Sequence, residues 1–256
     1  MGEQTVHKKA GRITIGTPSD RVFFLIHGYT GSPTDFNGLP QFLHKRFGAH
    51  VVVPRLMGHG TRVEDLDALE YEHFASQVRA ELAPILRSGA RVVLGGHSFG
   101  GQLALLMAAE HPQVAGVFTT TAPYRMRFPL NIPGVAYLAR IRPRWAKRIP
   151  PHELAQRKDA FYYLHMPSKA LAIVNTANRS LRAALPSVRC PMLTMQSLKD
   201  DIAHPKSAPA LERAVAAETK KTVMLTNSSH SIFYSGELAS LPNIIAEFFE
   251  NAGVFA

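Results

Sequence analysis

The chain has 256 residues, 46% of them hydrophobic and 19% charged, enough for one large α/β domain with a sizeable buried core. No run of eighteen apolar residues is present, which excludes a membrane-spanning helix; a single cysteine, Cys190, excludes an internal disulfide and the cysteine-rich zinc patterns. The formal charge of +10 raises nucleic acid or an acidic surface as a partner, but nine basic residues against two acids fall between Tyr124 and Asp159, without the interleaved aromatics that nucleic-acid binding wants.

Residues 1–14 lack the apolar core of a secretory signal, so a cytoplasmic protein is expected. Downstream, short apolar runs alternate with helix-length patterns. "RVFFLIHG" (21–28) reads as a strand, and 32–47 as a loop and a helix that Pro40 confines to its later part or enters at the first turn. A strand over 50–56 leads into the Gly-rich "MGHGTR". A helix over 70–88 with a kink at Pro84 precedes a strand over 90–96, a helix over 99–110 and a strand over 116–122. Strands at 191–197 and 221–227 enclose a helix over 205–218, and a last helix covers 237–251. This alternation predicts right-handed βαβ crossovers and a mainly parallel sheet with helices on both faces. The stretch 124–180 breaks the rhythm with five prolines before residue 152 and no defensible strand. An insert after a strand's carboxyl end lies over the site of such a sheet, so 124–180 is expected to be a basic, helical cap on a core of 1–123 and 181–256.

Gly96-His97-Ser98-Phe99-Gly100 fits G-x-S-x-G with a strand before it and a helix after it. On so sharp a turn the residues two away from the serine must lack bulk, hence a glycine on each side. A Gly/Ser-rich turn is the bland alternative, and the partners decide against it. A serine needs a base, and the base needs an orienting acid. Lys199-Asp200-Asp201 and Asn227-Ser228-Ser229-His230 fall just past two strand ends, on the same rim as Ser98 and in the order serine, acid, histidine. A tetrahedral oxyanion also needs two N–H donors. Phe99, opening the helix, supplies one, and Tyr29 in "HGYTGS" the other.

With "LIHGYTGSPTDF", "MGHGTRVEDL", "GGHSFGG", "MQSLKDDIAHP" and "NSSHSIF", the chain resembles the α/β-hydrolases, and within them the bacterial carboxylesterase and monoacylglycerol lipase group. The resemblance implies an α/β-hydrolase fold. In that group the acid stands five residues before a proline and thirty before the histidine, which selects Asp200 (with Pro205 and His230) over Asp201. Its oxyanion donors map to Tyr29 and Phe99.

The expected function is therefore hydrolysis of carboxylic esters through Ser98, His230 and Asp200, with no cofactor and no metal. His204 lies near the acids without metal-site spacing. Thioesterase or lysophospholipase activity on the same triad is the alternative, and a nucleic-acid- or acidic-surface-binding protein a weaker one. His27, His59 and His97 are expected to be hydrogen-bonded structural residues, and Met126, Trp145 and Met166 cap core or pocket wall. Val135, Leu138, Ala139 and Ile141 predict a greasy inner stripe, with Arg140, Arg142, Arg144, Lys147 and Arg148 on outer and rim surfaces. That pattern suits a small-molecule ester with a medium-length acyl chain, presented at an anionic membrane surface.

Overall fold

The computed structural model describes residues 5–131 and 143–256. The predicted elements form in the predicted order, and their ends are set by local chemistry. β2 (Arg21–Ile26) runs into the "HGYTG" turn, and β3 (His50–Val53) stops before Pro54, three residues short of the predicted end. α1 (Leu39–Phe47) starts behind Gly38 with Pro40 in its first turn, where the missing N–H costs nothing. α2 (Tyr71–Arg87) holds Pro84 in its last turn. β4 (Arg91–His97), α3 (Phe99–Glu110) and β5 (Gly116–Thr120) follow, then β8 (Met192–Ser197), α6 (Ser207–Ala214), β9 (Lys220–Leu225) and α7 (Leu241–Asn251).

Strand β1 (Ile13–Ile15) was not legible in the sequence: three residues at a sheet edge carry too short a pattern. It pairs antiparallel with β3 and completes a seven-stranded sheet of order β1-β3-β2-β4-β5-β8-β9, parallel everywhere else. Side chains alternate across this sheet, so both faces need cover. Val22, Phe24 and Ile26 of β2 join the core beneath α2 and α3, whereas Phe23 and Leu25 join the core beneath α1 and α7. Helix α3 is buried from Phe99 through Ala108. Strand β4, buried from Val92 to His97, and the helix α3 behind it are thus enclosed on both sides.

The segment after β5 corrects one expectation. It does hold strands: β6 (Arg144–Ala146) and β7 (His165–Pro167) form a two-stranded antiparallel ribbon around the short α4 (Pro151–Gln156). Each strand has three residues and a partner about twenty residues away, so neither shows a period of its own. α5 (Lys169–Ala184) follows as one helix across residue 180. Its Ala170, Ile173, Val174, Ala177 and Leu181 join the core shared with α3. The predicted stripe of Val135, Leu138, Ala139 and Ile141, with Arg140 and Arg142, lies outside the described residues.

Candidate active site

Ser98 joins the end of β4 to the start of α3 with φ +53° and ψ −121°, a backbone that L-residues rarely adopt. Its own N–H donates to Thr120 O at 2.8 Å, which anchors the turn to β5. The glycines two residues away are there for space. A Cβ on Gly96 would stand 2.2 Å from Gly100 O, and one on Gly100 2.0 Å from Ile26 O. Strand and helix cross too closely for any side chain.

The structure brings the three candidate residues together. His230 Nε2 lies 2.9 Å from Ser98 Oγ, and His230 Nδ1 lies 2.9 Å from both oxygens of Asp200. Asp200 is fully buried. Its Oδ1 accepts the Ile202 and Ala203 amides at 2.8 Å each, and its Oδ2 accepts Gln196 Nε2 at 2.9 Å. The neighbouring Asp201 is exposed and makes no hydrogen bond to the ring among the described residues. A carboxylate with this many donors is fixed in its orientation. It can therefore hold His230 with the proton on Nδ1 and the lone pair of Nε2 toward the serine.

Two opposing influences act on His230. Burial is the larger single one and pushes its pKa down; the Asp200 carboxylate, by charge and hydrogen bond, and the Asp201 charge together outweigh it. The net shift is upward from 6.5, although Lys147 pulls the other way. The basic insert does act in the direction its charge suggests, but the acid in contact with the ring wins.

Around Tyr29 the amides are sorted. Gly28 N donates to Asp35 Oδ2 at 3.1 Å, Thr30 N to His59 Nε2 at 3.0 Å, and Gly31 N to Gly28 O at 3.1 Å. The Tyr29 and Phe99 amides donate to no protein group among the described residues, and both residues line the cavity that contains Ser98. Sequence reasoning missed the groups that impose this arrangement. Asp35 is buried two residues past Pro33, in a stretch that reads as a loop. Gln196 is the one long polar side chain in the buried strand β8, a signal that was available.

Three other histidines brace the site. His27 Nδ1 donates to Gly28 O at 2.9 Å and its Nε2 accepts Leu56 N at 3.0 Å; His59 Nδ1 donates to Met57 O at 3.0 Å while Nε2 takes Thr30 N. A second proton on either ring would face a backbone N–H. His97 lies 3.0 Å from Thr120 Oγ1 through Nδ1. Burial lowers the pKa of all three, which hold neutral rings as structural residues.

The cavity over Ser98 measures about 690 Å³. Its apolar lining includes Met126, Leu130, Trp145, Met166, Leu171 and Val174. Its polar lining gathers around Arg157, whose guanidinium stands 4.8 Å from the Tyr162 ring centroid and 4.6 Å from that of Tyr234, with Glu153 3.8 Å away. Here two expectations fail. Lys147 is half-buried in the cavity wall rather than outward, and burial pushes its ammonium down to about 8 against the opposing charge of Asp35. Arg144 is not a free surface cation; it pairs with Asp67 and Glu64. These pairs tie the insert to the segment that follows "MGHGTR", so its cations are placed by partners far away in sequence. Arg148 is exposed at the cavity wall, as expected of a rim residue.

A parallel sheet, a serine at positive φ between strand and helix, and a histidine and acid past later strand ends define an α/β-hydrolase. The sequence pattern of the alpha/beta hydrolase family matches residues 23–239, and the chain belongs to that family. It is 26% identical over 206 residues to a thermostable monoacylglycerol lipase from a Bacillus species, covering 80% of this chain and 81% of the relative. A solved structure from the metagenome-derived lipolytic enzymes LipS and LipT superposes with TM-score 0.84 at 23% identity, covering 96% of this chain and all (100%) of that one. The monoacylglycerol lipase of Paleococcus ferrophilus superposes with TM-score 0.77 at 19% identity, covering 94% and 98%. At these identities the superpositions speak for the fold alone. Among the described residues no helix is long and apolar enough to cross a membrane.

Proposed function

We propose that the protein is a serine hydrolase of carboxylic esters, with Ser98 as nucleophile, His230 as base and Asp200 as its orienting acid. The observation that carries this reading is the unbroken chain of 2.9 Å contacts from Ser98 Oγ through His230 to Asp200, at the foot of an apolar-walled cavity. Ser98 Oγ attacks the acyl carbon while His230 Nε2 takes its proton. The carbonyl oxygen becomes an oxyanion, received by the N–H groups of Tyr29 and Phe99. The intermediate collapses as His230 returns the proton to the leaving alcohol, and an acyl group remains on Ser98. Water then attacks that acyl carbon, losing a proton to His230; the bond to Ser98 Oγ breaks, Oγ takes that proton back from His230, and the acid leaves.

Residues 124–180 act as the cap in this reading. Their Trp145, Met166, Leu171 and Val174 wall the cavity above Ser98 and give room to an acyl chain. The substrates are esters and monoacylglycerols of medium chain length rather than acetates, taken from an anionic lipid surface to which the exposed basic side chains of the insert are drawn, each contributing on the order of 1 kcal/mol. Relatives that carry the names monoacylglycerol lipase and carboxylesterase support the ester chemistry.

The test is covalent labelling with a fluorophosphonate alongside a panel of 4-nitrophenyl esters, monoacylglycerols, a lysophospholipid and an acyl-CoA. Wild type is labelled and turns over the medium-chain esters fastest. Ser98→Ala loses both labelling and turnover while keeping its thermal midpoint. Labelling that persists in Ser98→Ala overturns the assignment, and fastest turnover of the acyl-CoA moves the enzyme to the thioesters.

A further inference from the structure

Beside the catalytic cavity, with Met126 as a shared wall, lies a second groove of about 700 Å³. Arg125 reaches it from the loop after β5, Arg182 from the end of α5, and His204 and Lys206 from the loop between β8 and α6. No carboxylate lines it among the described residues. Several basic residues elsewhere sit against acids, such as Arg12 with Glu81, Arg46 with Glu250, Arg79 with Glu72 and Glu110, and Arg144 with Asp67, and others stand singly in solvent, such as Lys45, Arg87 and Lys221. Arg125, Arg182 and Lys206 have no ion pair among the described residues, so three like charges share one concavity with their repulsion uncompensated.

The groove's framework is well tied. His204 N donates to Arg125 O at 2.7 Å, Arg125 N donates to Ser207 Oγ at 2.9 Å, and Arg127 N donates to Ile202 O at 2.9 Å. Met126 and Ala203 pair between them as an isolated antiparallel bridge. On the α5 side, Asn178 Nδ2 donates to Pro123 O at 2.8 Å. The backbones that carry the cations are therefore fixed relative to one another, and only the side-chain ends must order around a ligand. His204 Nδ1 accepts Lys206 N at 3.0 Å, which leaves its Nε2 as the proton-bearing nitrogen.

We propose that this groove binds a phosphate-bearing molecule through Arg125, Arg182 and Lys206, with His204 as a further donor. Two guanidinium forks and an ammonium match the several acceptor oxygens of a phosphoryl group better than they match a single carboxylate. The inference goes beyond the ester hydrolysis proposed above and does not depend on the chemistry at Ser98. The phosphoryl group can belong to a lipid headgroup or to a soluble compound, and the two sources are separable by experiment.

Isothermal titration with inorganic pyrophosphate at low ionic strength tests the site. Wild type is expected to bind one equivalent saturably, and the triple variant Arg125→Gln, Arg182→Gln, Lys206→Gln to lose tenfold or more in affinity. A control removing three exposed cations elsewhere, Lys45→Gln, Arg87→Gln, Lys221→Gln, is expected to keep wild-type affinity. All three proteins should hydrolyse a 4-nitrophenyl ester alike, which separates failure of this site from failure of the catalytic reading. Sedimentation with vesicles of phosphatidylglycerol in phosphatidylcholine identifies the source: groove-dependent co-sedimentation assigns a lipid headgroup, and pyrophosphate binding without it assigns a soluble phosphoryl compound. No pyrophosphate binding in wild type, or an equal loss in the control, overturns the proposal.

Discussion

Asp200 and Asp201 are chemically identical neighbours, and their difference is entirely one of surroundings. Asp200 collects two backbone amides, a glutamine and the His230 ring, whereas Asp201 stays in solvent. Asp200→Asn is therefore expected to lower kcat by about 10⁴, because the amide presents the imidazole with the wrong tautomer. Asp201→Asn should keep most activity. Steady-state kinetics of the two variants check this, and the reverse ranking would move the acid to Asp201. The pH profile follows from the same contacts. A histidine can act as a base only when neutral, and Asp200 and Asp201 raise the pKa of His230 above 6.5 against the effect of burial, so with His230 as the proposed base kcat/KM should climb with pH through an apparent value above 6.5. A profile that falls steadily from pH 6 to pH 8 in folded protein would contradict a histidine base. Gly100→Ala belongs to the same scale: its Cβ would meet Ile26 O at 2.0 Å, and the backbone shift needed costs at least about 1–3 kcal/mol.

Among the elements, the ribbon β6–β7 and the segment between its strands decide how the insert meets the core. Tyr163 is the main tie. Its N–H donates to Thr30 O at 2.9 Å, and its hydroxyl donates to Gly58 O at 2.9 Å and accepts Thr61 N at 3.0 Å. Tyr163→Phe leaves those two backbone groups without this partner and should lower stability by about 1–3 kcal/mol, read as a shift in denaturant midpoint. The fold's helices and long strands could be predicted because each carries its own period, but this ribbon could not. Three residues per strand show no alternation, and its register depends on Arg144 facing Pro167 across a loop. Lys147 was misplaced for the same reason. A lysine in a basic run reads as solvated until the ribbon turns it toward Tyr162 and the cavity.

At the scale of the whole molecule, the buried histidines set the acid limit of stability. His27, His59 and His97 are neutral in the fold, each with its pKa lowered by burial below 6.5. Above that value the folded and unfolded chains bind equal numbers of protons at these sites, and their contribution is complete. As pH falls below 6.5 the unfolded chain takes up protons that the native rings refuse, and stability is lost at up to about 1.4 kcal/mol per pH unit for each ring. His230, with its raised value, acts in the opposite sense and offsets part of this loss. Urea midpoints measured between pH 7.5 and pH 5 should therefore decline, and decline less in a His97→Asn variant. A flat midpoint across that range would show that these rings accept protons in the fold.

By itself the amino-acid order determined the layers of the fold, the turn at Ser98 and the chain order of serine, acid and histidine. These rest on local causes: a period of two or of 3.6, and glycines where strand and helix cross. The residues alone left the two adjacent acids open, and family likeness selected Asp200. Only the tertiary structure supplies the physical reason, in the amides of Ile202 and Ala203 that turn back onto that carboxylate. Only it explains why, among the described residues, the Tyr29 amide has no protein acceptor while those of Gly28, Thr30 and Gly31 are taken, since Asp35 and His59 come from separate parts of the chain. The insert depended on tertiary structure most of all. Which of its cations are paired or half-buried is settled by contacts such as Arg144 to Asp67, 77 residues apart, and such pairings leave no trace in the order of neighbouring residues.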